Sequence, residues 1–351
     1  MTSLPSGSAT SRKRLYLPFA ESENATSSDS KRGKLNTAQN GSTLSKLSTG
    51  IDVSRVVPTS VSSLEQGMVI GEFRILGCGK RAKAICTEMD EVFDAMILTP
   101  SQNKQTQDVI ARIQQAEVYY RGHSVEELSE RMFPRKSRVM KWNDLYLLFT
   151  PARTKRLEAH VVDNRDTISE LQVKEVFDQI LRIVNFCHQC GILIGELHAN
   201  KFVYEATNGK VYFSGLPDCT LLLDPHDDLI RQRYITPAFV SPEALVLSKG
   251  ELYSAKCAEM WSLGVLLYNM LFGTYPFVDS TPRGVFQQIQ NGALRFPRAH
   301  VSSEARMLLF TILRKNPEER PLAEHLVVTP YWQGPMTCPC KLKALEFGLP
   351  S

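Results

Sequence analysis

The first part of the folded region is predicted to hold short strands and one helix. The run Val69–Leu76 is strand-like and ends at Gly77, which predicts a strand followed by a turn. A second strand is predicted over Val92–Leu98, where the alternation is partial, as in a half-buried strand. Residues 101–121 are polar and of helical type, so they predict a helix.

A hairpin closes this first part. The apolar runs Val139–Trp142 and Leu145–Phe149 are separated by Asn143 and Asp144, two residues that favour tight turns. The first part is therefore predicted to be a small, mostly antiparallel sheet with one helix.

After Pro151 the hydrophobic pattern becomes mainly helical. Ser169–Gln172 fits a capping box, and apolar residues then recur at helical spacing until Gly191. Trp261–Phe272 is apolar on nearly every side, as in a helix that is buried all round. Further helices are predicted over residues 282–290, 302–314 and 321–328. A sheet-rich small part followed by a larger helical part predicts an α+β fold of two lobes with a cleft between them.

The two ends of the chain differ from this folded region. Residues 1–65 are rich in Ser, Thr, Lys, Arg and Asn, and their few apolar side chains cannot offset the entropy of ordering. We therefore predict a disordered basic arm there. The folded domain is predicted over 66–335, with the small lobe ending at about residue 150 and the helical lobe covering 151–335, and 336–351 form a short tail.

The composition is that of a globular protein, and it excludes several functional classes. Of the 351 residues 43% are hydrophobic, and the net charge of +4 is too small to predict direct nucleic-acid binding. No apolar signal sequence begins the chain, and no run reaches the roughly 20 apolar residues of a membrane span. The basic clusters Arg12–Arg14 and Lys31–Lys34 can act as nuclear import signals or can be solvated charge, so we expect the nucleus, the cytoplasm or both.

The eight cysteines predict reduced thiols. Cys187 with Cys190, and Cys338 with Cys340, have the spacing of metal-ligand pairs, but neither pair has a second pair near it in sequence. A structural zinc takes four ligands, so buried or idle thiols are the preferred interpretation and no metal site is predicted.

A glycine-containing turn follows the first strand. Gly77 and Gly79, together with Ala82, resemble the phosphate loop of a protein kinase, in which glycines let backbone N–H groups approach the nucleotide. A glycine pair between strands is more often a plain turn. This remnant therefore carries weight only together with the motifs that follow it.

Five motifs in the helical part resemble protein kinases in their order and spacing. They are Ser241–Glu243, Glu259–Val265, Gly273–Phe277, Asn316–Arg320 and Thr329–Trp332. The resemblance runs from about residue 70 to 332 and implies a protein-kinase-like fold. It also implies structural roles for Glu259 and Trp261 at the start of the buried helix, and a bidentate ion pair between Glu243 and Arg320.

The residues that a kinase needs for phosphoryl transfer are replaced. Transfer requires a Lys on the nucleotide phosphates, a catalytic Asp and two metal ligands. Compared with the kinase motifs, this chain has Met96, Glu196, Lys201 and Gly215 at these positions. Methionine has no charge, and an ammonium group repels Mg²⁺ instead of binding it. We therefore predict no cofactor and no Mg²⁺, and the loss of the Lys also leaves ATP binding doubtful.

Within the kinases, the chain resembles the Tribbles pseudokinases. The segments that carry this resemblance are Cys187–Gln189, Lys201–Val203, Pro237–Glu243 and Tyr253–Lys256. The chain departs from that family at Met96 and Glu196, where the family usually keeps Lys and Asp, and at residues 215–217, where it commonly has Ser-Leu-Glu. The family's terminal peptide that recruits a ubiquitin ligase is not found between Gln333 and Ser351.

The resemblance implies a catalytically inactive adapter and not an enzyme. It implies protein partners such as C/EBP-type bZIP transcription factors, a ubiquitin ligase and kinases of the MAP-kinase cascade. The implied effects are on MAPK signalling, transcription-factor turnover and stress or immune responses. Two alternatives stay open: a residual or atypical Ser/Thr kinase or other nucleotide-binding enzyme, with Glu196 as its base, and an allosteric activator of a true kinase. No membrane is an expected partner.

Overall fold

The structure, a computed structural model, describes most of the predicted domain. The residues described are 63–120, 123–152, 155–157, 168–232, 236–248, 250–297 and 301–329. Most of the predicted arm, both basic clusters, residues 330–332 of the last motif, Cys338, Cys340 and the tail lie outside the described residues.

The small lobe is built on a six-stranded antiparallel sheet. Its strands are β1 Val69–Ile70, β2 Phe73–Ile75, β3 Arg81–Cys86, β4 Glu91–Leu98, β5 Arg138–Trp142 and β6 Leu145–Pro151, in the spatial order β1-β2-β3-β4-β6-β5. Phe73, Phe93 and Phe149 form the centre of its apolar core, where the rings of Phe73 and Phe149 stack 4.0 Å apart. Leu64, which precedes the first strand, is fully buried in the same core.

The sheet differs from the sequence prediction in two places. The single strand predicted over 69–76 is split into β1 and β2, because Gly71 takes a left-handed φ of +57° and turns the chain. The strand β3 was not predicted. Ala82 therefore lies inside a strand and not in the phosphate-loop remnant to which the sequence assigned it.

Two helices, and not one, follow β4. They are α1 Pro100–Tyr120 and α2 His123–Met132. The buried side chains Val109, Ile113 and Ala116 of α1 belong to the core of the helical lobe and not to the core of the sheet. The helix that the sequence placed in the small lobe thus packs against the large one.

The large lobe is mainly helical. Its helices are α3 Glu170–Gln189, α4 Pro242–Val246, α5 Ala255–Phe272, α6 Pro282–Asn291, α7 Ser303–Ile312 and α8 Ala323–Val327. Its short strands are β7 Lys155–Arg156, β8 Ile192–Leu193, β9 Phe202–Glu205, β10 Lys210–Phe213, β11 Thr220–Leu221, β12 Leu229–Ile230 and β13 Tyr253–Ser254. They pair as β10-β9-β7, β11-β8 and β12-β13, always antiparallel.

The ends of the long helices follow the signals in the sequence. The predicted capping box is present, since the Ser169 hydroxyl accepts from the Gln172 N–H and the Gln172 side chain accepts from the Ser169 N–H. The buried helix α5 ends at Gly273, whose φ of +67° is left-handed. No helix in the described part of the chain has both the length and the apolar character needed to cross a membrane.

Candidate functional site

The phosphate-loop remnant is tied to the segment that precedes the sheet. Gly77 and Gly79 lie in the turn between β2 and β3, as predicted. The Gly79 N–H donates to the Leu64 carbonyl at 2.9 Å, and the Leu64 N–H donates back to the Gly79 carbonyl at 2.8 Å. The backbone donor that a kinase would direct at a phosphate is therefore occupied by the chain itself.

Met96, which the sequence assigned to the position of the phosphate-binding Lys, lies on β4. It is half-buried, and its neighbours across the sheet are Arg81 on β3 and Leu148 on β6. Two residues earlier on the same face, Asp94 forms a 2.6 Å ion pair with Lys83. This face of the sheet thus carries the thioether of Met96, and the nearby Lys83 ammonium is paired with the Asp94 carboxylate.

The helix α1 is anchored to the large lobe through two backbone carbonyls. The Gln105 side-chain amide donates to the Cys219 carbonyl, and the Arg112 guanidinium donates to the Cys190 carbonyl at 2.9 Å. In a kinase the helix after the Lys-bearing strand supplies a Glu that pairs with that Lys. The polar residues buried on α1 are instead Asn103 and Thr106.

Glu196, at the position of the catalytic Asp, has both carboxylate oxygens engaged. Oε1 accepts from the Thr236 N–H at 2.6 Å, and Oε2 accepts from the Thr236 hydroxyl and lies 3.1 Å from Nε2 of His198. Burial by itself raises the pKa of the Glu196 carboxyl, but the hydrogen bonds from His198 and Thr236 outweigh it and leave the pKa below its ordinary value. A carboxylate so strongly bonded is a weak base.

The two metal-ligand positions hold a cation and a glycine that fit one another. The Lys201 ammonium donates to the Ile194 carbonyl at 2.7 Å. A Cβ atom added at Gly215 would lie 3.1 Å from Cδ of Lys201 and 2.9 Å from Cζ of Phe213, which is closer than such atoms normally approach. The next carboxylate, that of Asp218, is exposed. These residues do not fit Mg²⁺, which requires oxygen ligands in near-octahedral geometry.

The buried carboxylate of Glu259 is hydrogen-bonded to the backbone of the catalytic-loop remnant. Oε1 of Glu259, on α5, accepts from the Gly195 N–H at 2.7 Å, and its Oε2 lies 2.9 Å from Nε2 of His188 at the end of α3. Glu259 and His188 are both almost fully buried. The sequence identified Glu259 as structural but not its partner His188, which lies 71 positions away.

The predicted ion pair between Glu243 and Arg320 is present and bidentate, with two contacts of 2.6 Å. The guanidinium also lies 5.1 Å from the ring of Trp261. Its remaining hydrogen bonds go to the carbonyls of Cys257, Arg314 and Lys315. This network joins α4, at the end of the segment, to α5 and to the loop before α8.

Cys187, Cys190 and Cys219 of the helical lobe are buried thiols, and Cys257 is partly buried. Burial raises the pKa of Cys190 to about 11, and it raises the pKa values of Cys187 and Cys219 further. Sγ of Cys187 lies 3.6 Å from Sδ of Met132. Over the ranges that the structure describes, no three His, Cys, Asp or Glu side chains are grouped so that they could hold a metal ion.

Known proteins match the part of the chain that carries these features. Residues 97–332 match the protein kinase domain family, a match that begins directly after Met96. Human Tribbles homolog 1 is 36% identical over 173 residues, which cover 49% of this chain and 45% of that protein. Human Tribbles homolog 3 is 37% identical over 194 residues, which cover 55% and 52%. Tribbles homolog 2 of Canis lupus familiaris is 34% identical over 166 residues, which cover 47% of each. The chain thus matches about half the length of these curated relatives.

Proposed function

The chain belongs to the protein kinase domain family, with Tribbles homologues among its relatives, and we propose on that basis that it works as a catalytically inactive adapter. One combination of features carries the proposal. The ion pair between Glu243 and Arg320, which stabilises the helical lobe in kinases, is kept. At the positions of the phosphate-binding Lys and of both metal ligands, the chain instead has Met96, Lys201 and Gly215.

The chemistry left at the site does not suit phosphoryl transfer. The developing charge on a transferred phosphoryl group needs metal ions and cationic side chains, and the loss of a single such group can cost about 10³–10⁵ in rate. Glu196 keeps a carboxylate at the position of the base, but Thr236 and His198 hold both of its oxygens. We therefore propose that the protein needs neither a cofactor nor Mg²⁺ for its function.

The helical lobe is the surface that we assign to protein partners. Three exposed apolar side chains lie on it: Leu229 in the segment between β11 and α4, Val246 at the end of α4, and Leu252 in the loop after α4. The lobe beneath them is tied together by the Glu243–Arg320 ion pair and by the buried contact between Glu259 and His188, so we propose that these side chains are presented on a rigid base. Adapter function needs such a surface and no catalysis.

The resemblance of the motifs to the Tribbles pseudokinases implies the classes of partner. We propose a C/EBP-type bZIP transcription factor, a ubiquitin ligase and a kinase of the MAP-kinase cascade, with effects on MAPK signalling, on transcription-factor turnover and on stress or immune responses. We propose that the protein acts in the nucleus, the cytoplasm or both. Neither nucleic acid nor membrane is a proposed ligand.

The experiment is a retention assay with the full chain immobilised. A bZIP factor, a ubiquitin ligase and a MAP-kinase cascade kinase are presented one at a time, with and without ATP and Mg²⁺. We expect at least one of them to be retained, and to the same extent in both conditions. In parallel, phosphoryl transfer to a general protein substrate is measured for the wild type and for Glu196→Gln, and we expect neither to exceed the blank.

Two outcomes would overturn the adapter proposal. One is that none of the three partners is retained. The other is phosphoryl transfer by the wild type that Glu196→Gln abolishes, which would establish the kinase alternative. A retained kinase whose own rate rises on binding, while its abundance is unchanged, would instead favour an allosteric activator.

A further inference from the structure

The segment Asp224–Gln232, which runs between the degenerate metal motif and α4, is fixed to the start of the central helix. In protein kinases the corresponding segment is often ordered by a phosphorylated side chain that pairs with arginine. In this chain the residue directly before Glu196, where such an arginine would lie, is Gly195. Its N–H is already bonded to Glu259, and it offers no side chain to a phosphate.

Asp228 makes the contacts that hold the segment. Its Oδ2 accepts from the Ser254 hydroxyl at 2.6 Å and from the Lys256 N–H at 2.9 Å, and its carbonyl accepts from the Ala255 N–H at 3.0 Å. Ser254 is the N-cap of α5 and also accepts from the Cys257 N–H. The Asp228 carboxylate is therefore an anion placed at the N-terminus of an 18-residue helix, where the unpaired N–H groups stabilise negative charge.

Further contacts extend this attachment along the segment on both sides of Asp228. The strand β12 pairs with β13, so that Leu229 lies opposite Ser254 and Ile230 lies opposite Tyr253. The Tyr253 hydroxyl donates to the Gln232 carbonyl at 2.7 Å, and the Lys256 ammonium donates to the Pro225 carbonyl at 2.6 Å.

We propose that Asp228 takes the part that a phosphorylated side chain plays in ordinary kinases, so that the segment is docked permanently and without phosphorylation. The consequence for partner binding rests on the proposed adapter function: the surface that exposes Leu229 is formed at all times and needs no upstream kinase. The attachment itself is independent of whether a partner binds there.

Hydrogen exchange tests this proposal on the full chain, produced in bacteria and shown by intact mass to carry no phosphate. The exchange rate of the Lys256 amide measures the attachment directly, because this N–H donates to the Asp228 carboxylate. We expect this amide to be protected in the wild type, and Asp228→Ala to raise its exchange rate by roughly tenfold or more. Exchange in the middle of α5, over Leu263–Leu267, should not change.

Asp227→Ala is the matched control. It removes the neighbouring acidic side chain, which is exposed and accepts only a 3.4 Å contact from Leu229 in its own turn. This variant should leave the Lys256 amide as protected as in the wild type. Should Asp228→Ala fail to fold, Asp228→Asn keeps the shape of the side chain and removes only the charge, and a smaller rise at the same amide is expected.

Two results would overturn the proposal. One is that the Lys256 amide of the unphosphorylated wild type exchanges as fast as that of the Asp228 variant. The other is that Asp227→Ala raises the exchange rate of the Lys256 amide as much as Asp228→Ala does. Partner retention by the same unphosphorylated chain is measured separately. Its loss would overturn the adapter function or its independence from phosphorylation, while the exchange result would still decide the role of Asp228.

Discussion

At the scale of single residues, the replaced kinase positions are adapted to one another. Lys201 has an acceptor in the Ile194 carbonyl, and the space beside it is free because residue 215 has no side chain. Glu196 has partners for both oxygens in Thr236 and His198. These side chains are satisfied where they are, so the lost chemistry leaves no unpaired charge behind.

Gly215→Ala tests the fit between the two metal-ligand positions. The added methyl group would crowd Phe213 and Lys201, so we expect the free energy of unfolding to fall by about 1–3 kcal/mol. In the background Lys201→Ala the same change should cost less, by at least about 0.5 kcal/mol, because one neighbour has been removed. Urea denaturation of the four proteins of this cycle gives both values.

Gly77→Ala is the control for the glycine substitution. The nearest atom to its added methyl group would be Cβ of Ala82 at 3.8 Å, an ordinary contact, and we expect a change within about 0.5 kcal/mol. Equal costs for Gly215→Ala with and without Lys201 would contradict the proposed fit.

Glu196→Gln tests the hydrogen bonds that occupy the base position. At pH 7 we expect a loss of about 1–3 kcal/mol in the free energy of unfolding, because Thr236 and His198 lose a charged acceptor. The folded-state pKa of Glu196 is below its ordinary value of 4.5, so its contribution is complete above that pH and disappears as the pH falls through the folded pKa. Urea denaturation from pH 7 downward should therefore show wild type and variant converging.

Glu88→Gln serves as the control for the pH series, since Glu88 is exposed. It should change stability little at any pH. A Glu196→Gln variant that matches the wild type at pH 7, or that differs from it equally across the whole range, would contradict the account of this carboxylate.

At the scale of elements, the strong sequence patterns predicted the long helices and the hairpin correctly. The segment α3 has an apolar periodicity that begins with the capping box at Gln172, α5 is apolar on nearly every side and ends at Gly273, and the β5–β6 turn falls at Asn143. The missed strand β3 exposes Arg81 and Lys83, and its fully buried residues are the small Ala84 and Cys86. Ile85 is its one large apolar side chain, which is too few to mark a strand in the sequence. The missed helix α2 is short and rich in Ser and Glu.

The sequence predicted the site residues that belong to motifs, but it did not predict most of the residues that form hydrogen bonds with them. Sequence reasoning placed Glu243 opposite Arg320, and the two are bonded. It did not predict the backbone hydrogen bonds between Leu64 and Gly79, because a single Leu between polar residues shows no periodicity. Nor did it predict the hydrogen bond from Thr236 to Glu196, because these residues are 40 positions apart in the sequence and meet only in the folded chain.

Arg320→Met tests the network that ties the segment end to the helical lobe. The Arg320 side chain is fully buried, so its removal leaves the Glu243 carboxylate without its charge partner. We expect the free energy of unfolding to fall by about 3–5 kcal/mol. Chemical denaturation followed by far-UV circular dichroism measures this loss.

Arg314→Met is a matched control in the same region. Arg314 forms a 3.7 Å ion pair with Glu319, and both side chains are at least half exposed. Exposed pairs of this kind contribute about 0–1 kcal/mol, so the control should be nearly neutral. Similar losses for the two variants would show that the buried pair has no special part in stability.

At the scale of the whole molecule, the chain keeps the architecture of a protein kinase and changes what its cleft can hold. The match to the kinase domain covers residues 97–332, and the similarity to Tribbles homologues confirms the resemblance that the motifs indicated. The phosphate-loop remnant is bonded to Leu64, β4 presents Met96, and the metal positions hold Lys201 and Gly215. We propose that these replacements, which lie in both lobes, prevent the binding of a nucleotide with Mg²⁺.

We propose that the protein retains the kinase fold but has no site for a nucleotide bound with Mg²⁺. The most direct test is the melting temperature of the full chain with ATP, with and without Mg²⁺, measured beside Met96→Lys. A ligand that binds the folded state raises the melting temperature with its occupancy. We predict that Mg²⁺ adds no shift in either protein, because Lys201 and Gly215 are unchanged in both. A clear shift in the wild type that Mg²⁺ enhances would contradict the account and would restore the enzyme alternative.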